Sequence, residues 1–145
     1  NKLTPESVLL LLEMLLPNNV EILKSAIRSA QDSVDFRHGP RLVFLLYKLC
    51  TSYLIEYLEN GDNTAKEFLG DAYSANESET VERSATLSKM REFDYDGKKV
   101  KMFQHVRIGT ARAENETIRV HFLVDKDKRK IIIGYCGEHL DVKST

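Results

Sequence analysis

Residues 117–139, TIRVHFLVDKDKRKIIIGYCGEH, decide how this chain folds. Ile118, Val120, Phe122 and Val124 alternate with Arg119, His121, Leu123 and Asp125, the period-two pattern of a strand with two distinct faces. Four polar residues then make a turn, and Ile131 to Cys136 read as the return strand. If Val124 pairs with Ile131, Phe122 opposes Ile133 and Val120 opposes Tyr135, which makes a core face. The same register sets His121 opposite Gly134 and Arg119 opposite Cys136 on the other face. Gly134 is expected to leave space above the sheet beside His121.

Upstream, Val100, Met102, Val106 and Ile108 alternate with Lys101, Phe103, His105 and Arg107, so 100–108 reads as one half-buried strand. A polar loop, 109–117, joins it to the hairpin. Asp96-Gly97 is a turn signal, and a short strand around Phe93-Asp94-Tyr95 makes a fourth.

Everything before Phe93 is helical in pattern. Thr4-Pro5-Glu6 combines an N-cap, a proline at the first helical position and an acid in the first turn. That helix runs to Leu16, where Pro17 stops it. It is apolar almost all round, so it is expected to pack on every side. Val20, Leu23, Ala26, Ile27 and Ala30 follow helical spacing, and a long helix spans 40–59 up to Asn60-Gly61. Thr64 and Glu67 match a capping box, opening an amphipathic helix to about Tyr73. A weakly amphipathic helix follows over 78–91. The expected fold is α+β: one compact domain, 1–145, with four to five helices over about 1–91. A small antiparallel sheet of three to four strands follows over about 92–145.

The composition, 42% hydrophobic and 30% charged over 145 residues, is that of a folded globular chain. With a net charge of −1 the whole chain is not an obvious polyanion binder. The distribution says more. Residues 1–75 carry 7 Lys/Arg against 10 Asp/Glu, and 98–145 carry 11 against 6. Cys50 and Cys136 lie far apart, and Cys50 sits in an apolar helix, so both read as free thiols of a reducing cytoplasm. The apolar run 8–16 is too short to span a bilayer, and no membrane association is expected.

No motif fixes a reaction, so function is read from the face. With strand 100–108 beside the hairpin, Lys101, His105, Arg107, Arg119 and His121 gather on one surface. Lys101, Arg107, Arg119 and Gly134 would receive a phosphate, because cations bind it and glycine gives access. His105 and His121 would serve as acid and base, titrating near neutrality. The leading expectation is a small intracellular binding module that meets a protein, RNA or DNA, or a phosphorylated ligand there, with no cofactor.

The alternative is a metal-independent ribonuclease. A basic three-stranded meander behind helices, rich in Lys, Arg, Tyr and His, resembles RelE-type ribonuclease toxins over residues 93–140. The resemblance rests on topology and residue types, and the long helical half departs from that family. A secondary reading sets Cys136 and His139, with His105 and His121, as four zinc ligands. A further reading makes Cys136 a nucleophile with His139 as its base. Glu77, Glu79 and Glu82 can be read as metal-binding carboxylates, but exposed acids at a helix N-terminus, favoured by the dipole, are the preferred reading.

Overall fold

The computed structural model describes residues 3–110 and 115–143; the centre of the polar loop, 111–114, lies outside them. The architecture is α+β, with helices in the N-terminal half and sheets after them.

α1 (Pro5–Leu15) begins as its sequence dictates: the Thr4 hydroxyl accepts a hydrogen bond from the Ser7 N–H at 3.2 Å. It buries Val8, Leu9 and Leu12, but Leu10, Met14 and Leu15 are 49%, 72% and 62% exposed. Its all-round apolar character therefore does not correspond to all-round packing. The next element is a strand, β1 (Val20–Ile22), where helical spacing predicted a helix. Its β-branched ends suit a pleated backbone, and it pairs in parallel with β7 (Lys130–Gly137), Val20 against Ile131 and Ile22 against Ile133. Only then does α2 (Lys24–Gln31) begin.

The long helix is present as α3 (Gly39–Lys48), a π-helical turn over Leu49–Tyr53, and α4 (Leu54–Asn60). It buries Leu42, Leu45, Leu46, Leu49, Cys50, Tyr53 and Leu54. A π-turn spoils the regular ladder of helical hydrogen bonds, and here the Asn19 side-chain amide donates to the Cys50 carbonyl at 2.8 Å. Gly61, at φ 88°, ends the rod.

The capping box at Thr64 does not form. The N-cap of α5 (Asp62–Ala65) is Gly61, and the Thr64 hydroxyl donates to Glu56 instead. Turns of 3-10 helix lead from α5 to the short strand β2 (Tyr73–Ser74). The helix expected over 78–91 is two, α6 (Glu79–Arg83) and α7 (Ala85–Lys89). Ser84 separates them in extended conformation, and its hydroxyl accepts from the Leu87 N–H at 3.1 Å. A serine that caps the next turn competes with continuing the previous one.

β3 (Glu92–Tyr95) and β4 (Lys98–Lys101) form a separate hairpin. Its turn, Asp96-Gly97, has both φ angles positive, at 54° and 81°, as a two-residue hairpin turn requires. Lys101 thus belongs to this hairpin, opposite Glu92, and the strand expected over 100–108 is broken at 102–104. The main sheet has the order β1-β7-β6-β5-β2, with β5 (His105–Ile108) and β6 (Ile118–Asp125). Apart from parallel β1, its pairings are antiparallel.

The expected register holds from Asp125 to Phe122 and then slips. Val124 faces Ile131 and Phe122 faces Ile133, but His121 pairs with Tyr135, Val120 with Cys136 and Arg119 with Gly137. Gly134 is the extra residue of a β-bulge. One inserted residue exchanges the faces of everything beyond it. Cys136 therefore joins Val120 in the core beneath the helices, and Tyr135 joins His121.

Both faces of the sheet are covered. Phe122, Ile131, Ile133, Val106 and Val120 pack with the helices. On the other side Ile132 packs with Leu23, Phe93, Tyr95 and Met102, residues largely of the β3–β4 hairpin and the segment after it. Burial on both faces explains why 131–133 is an unbroken aliphatic run. Gly134 is part of that closure. A Cβ there would lie 2.7 Å from the Met102 sulfur and 2.8 Å from Phe93 Cδ2. Gly134→Val is expected to cost about 1–3 kcal/mol by overpacking, measured by urea unfolding. An unchanged midpoint would mean the hairpin does not press on the bulge. Among the described residues no helix is long and apolar enough to cross a membrane.

Candidate functional site

The β5–β6 pairing sets His105 against His121 and Arg107 against Arg119, so four of the expected site residues do share a face. The imidazoles stack with ring centroids 4.8 Å apart. The break at 102–104 supplies their partners: the His105 Nδ1 lies 2.9 Å from the Phe103 carbonyl and the His121 Nδ1 lies 2.9 Å from the Met102 carbonyl. A carbonyl only accepts, so each Nδ1 carries the hydrogen and each Nε2 holds the free lone pair.

Both rings are buried, at 8% exposure for His105 and 2% for His121. Desolvation is the largest effect on each and favours the neutral ring. His121 is pushed down to about 3, with further repulsion from His105, Arg91 and His139 outweighing its bond to Met102. His105 is lowered as well, by desolvation first and by Arg119 and Arg107, against the Phe103 carbonyl and Glu77.

Glu77 proves to be the centre of this region. Its side chain is 9% exposed, and its carboxylate pairs with Arg91, whose side chain is fully buried. Arg91 also donates to the Leu87 carbonyl at 3.0 Å and the Leu140 carbonyl at 3.4 Å. Ligand-type atoms of Glu77, His105 and His121 all lie within 4.8 Å of one another. The reading of exposed helix acids holds for Glu79, which pairs with Arg83 on the surface. It fails for Glu77, which precedes the Ser78 cap and turns inward.

Arg119 is tied to the main chain, and the expected residues outside this face are dispersed. Arg119 is 9% exposed and donates to the Gly109 and Ile118 carbonyls. Burial, then Arg107, lowers its pKa. Gly134 opens no space, because Phe93 and Met102 fill it. Lys101 is exposed on the hairpin. The zinc quartet is not assembled, since Cys136 lies in the helix-side core while the histidines lie on the opposite face. Burial raises its thiol to about 12, which also removes it as a nucleophile. His139 is exposed, and its pKa is lowered by partial burial, then by Arg119.

A second feature was not foreseen. A cavity of about 400 Å³ lies between α3 and β5, lined by Pro40, Arg41, Phe44, Leu45, Lys48, Ala72, Arg107 and Ile108. Leu45 and Ile108 are buried and form its floor, whereas Phe44 is 72% exposed at its rim. Among the described residues three cations line it and no carboxylate does. A sequence signal exists: residues 36–55 contain Arg37, Arg41 and Lys48 but no Asp or Glu. That run meets Arg107 only through the tertiary fold.

No family model, curated protein or solved structure matches this chain.

Proposed function

We propose that the protein is a binding module whose ligand surface is the cavity between α3 and β5, and that its ligand is an acidic protein segment carrying an apolar side chain. The observation that carries this reading is the lining itself, an apolar floor with Arg41, Lys48 and Arg107 and, among the described residues, no opposing carboxylate. Cations around an apolar pocket select a partner that offers carboxylate or phosphate beside a hydrophobic anchor. Of the expected phosphate-binding residues, Arg107 is the one that lines this cavity.

The ribonuclease reading draws less support. A general acid must hold a proton near neutrality and reach the scissile group. His105 and His121 are neutral, buried and already bonded through Nδ1. A nucleic acid also has little access to imidazoles that are 8% and 2% exposed.

The test is fluorescence anisotropy with a labelled peptide of alternating Glu and Phe, compared with labelled oligouridylate. The peptide is expected to bind, and Arg41→Glu combined with Lys48→Glu should weaken it by about tenfold or more, since each tenfold is about 1.4 kcal/mol. Phe44→Ala should weaken it without altering its salt dependence. Equal binding by wild type and charge variant, or binding of the oligouridylate alone, would overturn the proposal.

A further inference from the structure

We propose that Glu77, His105 and His121 form a binding site for a divalent transition ion of the zinc class. The three side chains come from the segment before α6, from β5 and from β6, and their ligand-type atoms lie within 4.8 Å of one another. The set differs from the cysteine-containing quartet read from the sequence, because the bulge takes Cys136 to the other face and the chain before α6 brings in Glu77.

Each imidazole is held in the manner of a metal ligand. Its Nδ1–H donates to a main-chain carbonyl, Phe103 for His105 and Met102 for His121. That bond fixes both the tautomer and the ring plane, and it presents Nε2 as the donor nitrogen. Neither Nε2 has a hydrogen-bond partner among the described residues. Arg91 engages Oε2 of Glu77, which orients the carboxylate as an outer-shell partner and leaves Oε1 for the ion.

Geometry and charge narrow the class. Zinc sits about 2.0–2.2 Å from imidazole nitrogen and carboxylate oxygen. In a tetrahedral site the donors are then about 3.3 Å apart, against the 4.8 Å within which one ligand-type atom of each side chain already lies. Two nitrogens and one oxygen suit zinc, cobalt or nickel, whereas calcium and magnesium need a shell of oxygens. The Arg91 and Arg119 charges oppose a cation, so binding through neutral imidazole favours an ion with strong nitrogen affinity over a hard one.

The test is a cobalt(II) titration of metal-free protein near neutral pH, followed by visible absorption. The expected result is a saturable band at one ion per chain. His105→Gln and His121→Gln should each weaken it by more than the roughly 10–100-fold typical of an outer-shell loss. His38→Gln, whose side chain pairs with Glu116 elsewhere, should leave it unchanged. Should a histidine variant fail to fold by circular dichroism, zinc added to the wild type decides, since it must shift the Nε2 resonances of His105 and His121. Absence of a saturable band, a band that survives both variants, or unmoved Nε2 resonances would overturn the proposal.

Discussion

Glu77→Ala is expected to destabilise the fold by about 3–5 kcal/mol, the usual cost of leaving a buried charge without its partner. Arg91 has no exposed surface, and of its bonds only the one to Glu77 neutralises its charge. Leu87 and Leu140 supply carbonyl dipoles, which solvate the guanidinium without balancing it. Glu77 also counters the positive field at His105, Arg119 and His139. One carboxylate thus ties the segment before α6 to the end of α7 and to the sheet. The measurement is urea unfolding of wild type, Glu77→Ala, Arg91→Met and the double variant Glu77→Leu/Arg91→Met. The double variant should recover most of the loss, because removing both partners leaves no orphaned charge. A cost below about 1 kcal/mol for Glu77→Ala would instead place the pair among solvated surface ion pairs.

Acidification is expected to weaken the fold in a window set by His121. Unfolded, its imidazole takes up a proton near the ordinary value of 6.5; folded, it does so only near about 3. Between those values the unfolded state holds the extra proton, so stability falls as pH falls, by about 1.4 kcal/mol per pH unit for each such histidine. At pH 5 the loss from His121 alone is about 2 kcal/mol relative to pH 7. His105 adds to it in the same direction. Arg91, Arg119 and His139 oppose protonation of the pair, and Glu77 favours it, so the arginines keep the window wide. Asp125, whose carboxylate accepts from the Lys128 N–H, also loses stability in acid, but only at and below ordinary carboxylate values. Urea midpoints with a chelator present, compared with His121→Gln, check this. Equal stability at the two pH values in wild type would contradict a sealed, neutral imidazole.

Much of the fold was legible because it rests on local pattern. The alternation in 118–125, the Asp96-Gly97 turn and the apolar spacing of 40–59 each give a correct element without tertiary knowledge. The register beyond Phe122 was not legible. Ile131-Ile132-Ile133 has no alternation to mark a face, and Gly134 in the strand is equally compatible with open space and with a bulge. Only Phe93 and Met102, folded back over the sheet, reveal why Gly134 must be small. β1 escaped for a related reason: Val20 also satisfies helical spacing, yet it and the two residues after it form a strand because β7 offers an edge. The candidate site divides in the same way. His105 and His121 come together because strand pairing follows from local pattern. Glu77 joins them through Arg91, fourteen positions away, and nothing in the intervening sequence announces that pair.

The central claim is that the two imidazoles are sealed beneath the segment 102–104, which leaves the cavity between α3 and β5 as the proposed working surface. Long-range ¹H–¹⁵N spectra of the imidazoles, recorded from neutral to acidic pH with a chelator present, test the seal directly. Both rings are expected to show the neutral Nδ1–H tautomer at neutral pH, and His121 is expected to remain so at pH values well below the ordinary midpoint of 6.5. A full titration of His121 near 6.5 would contradict the seal and return the pair to solvent as an acid and a base.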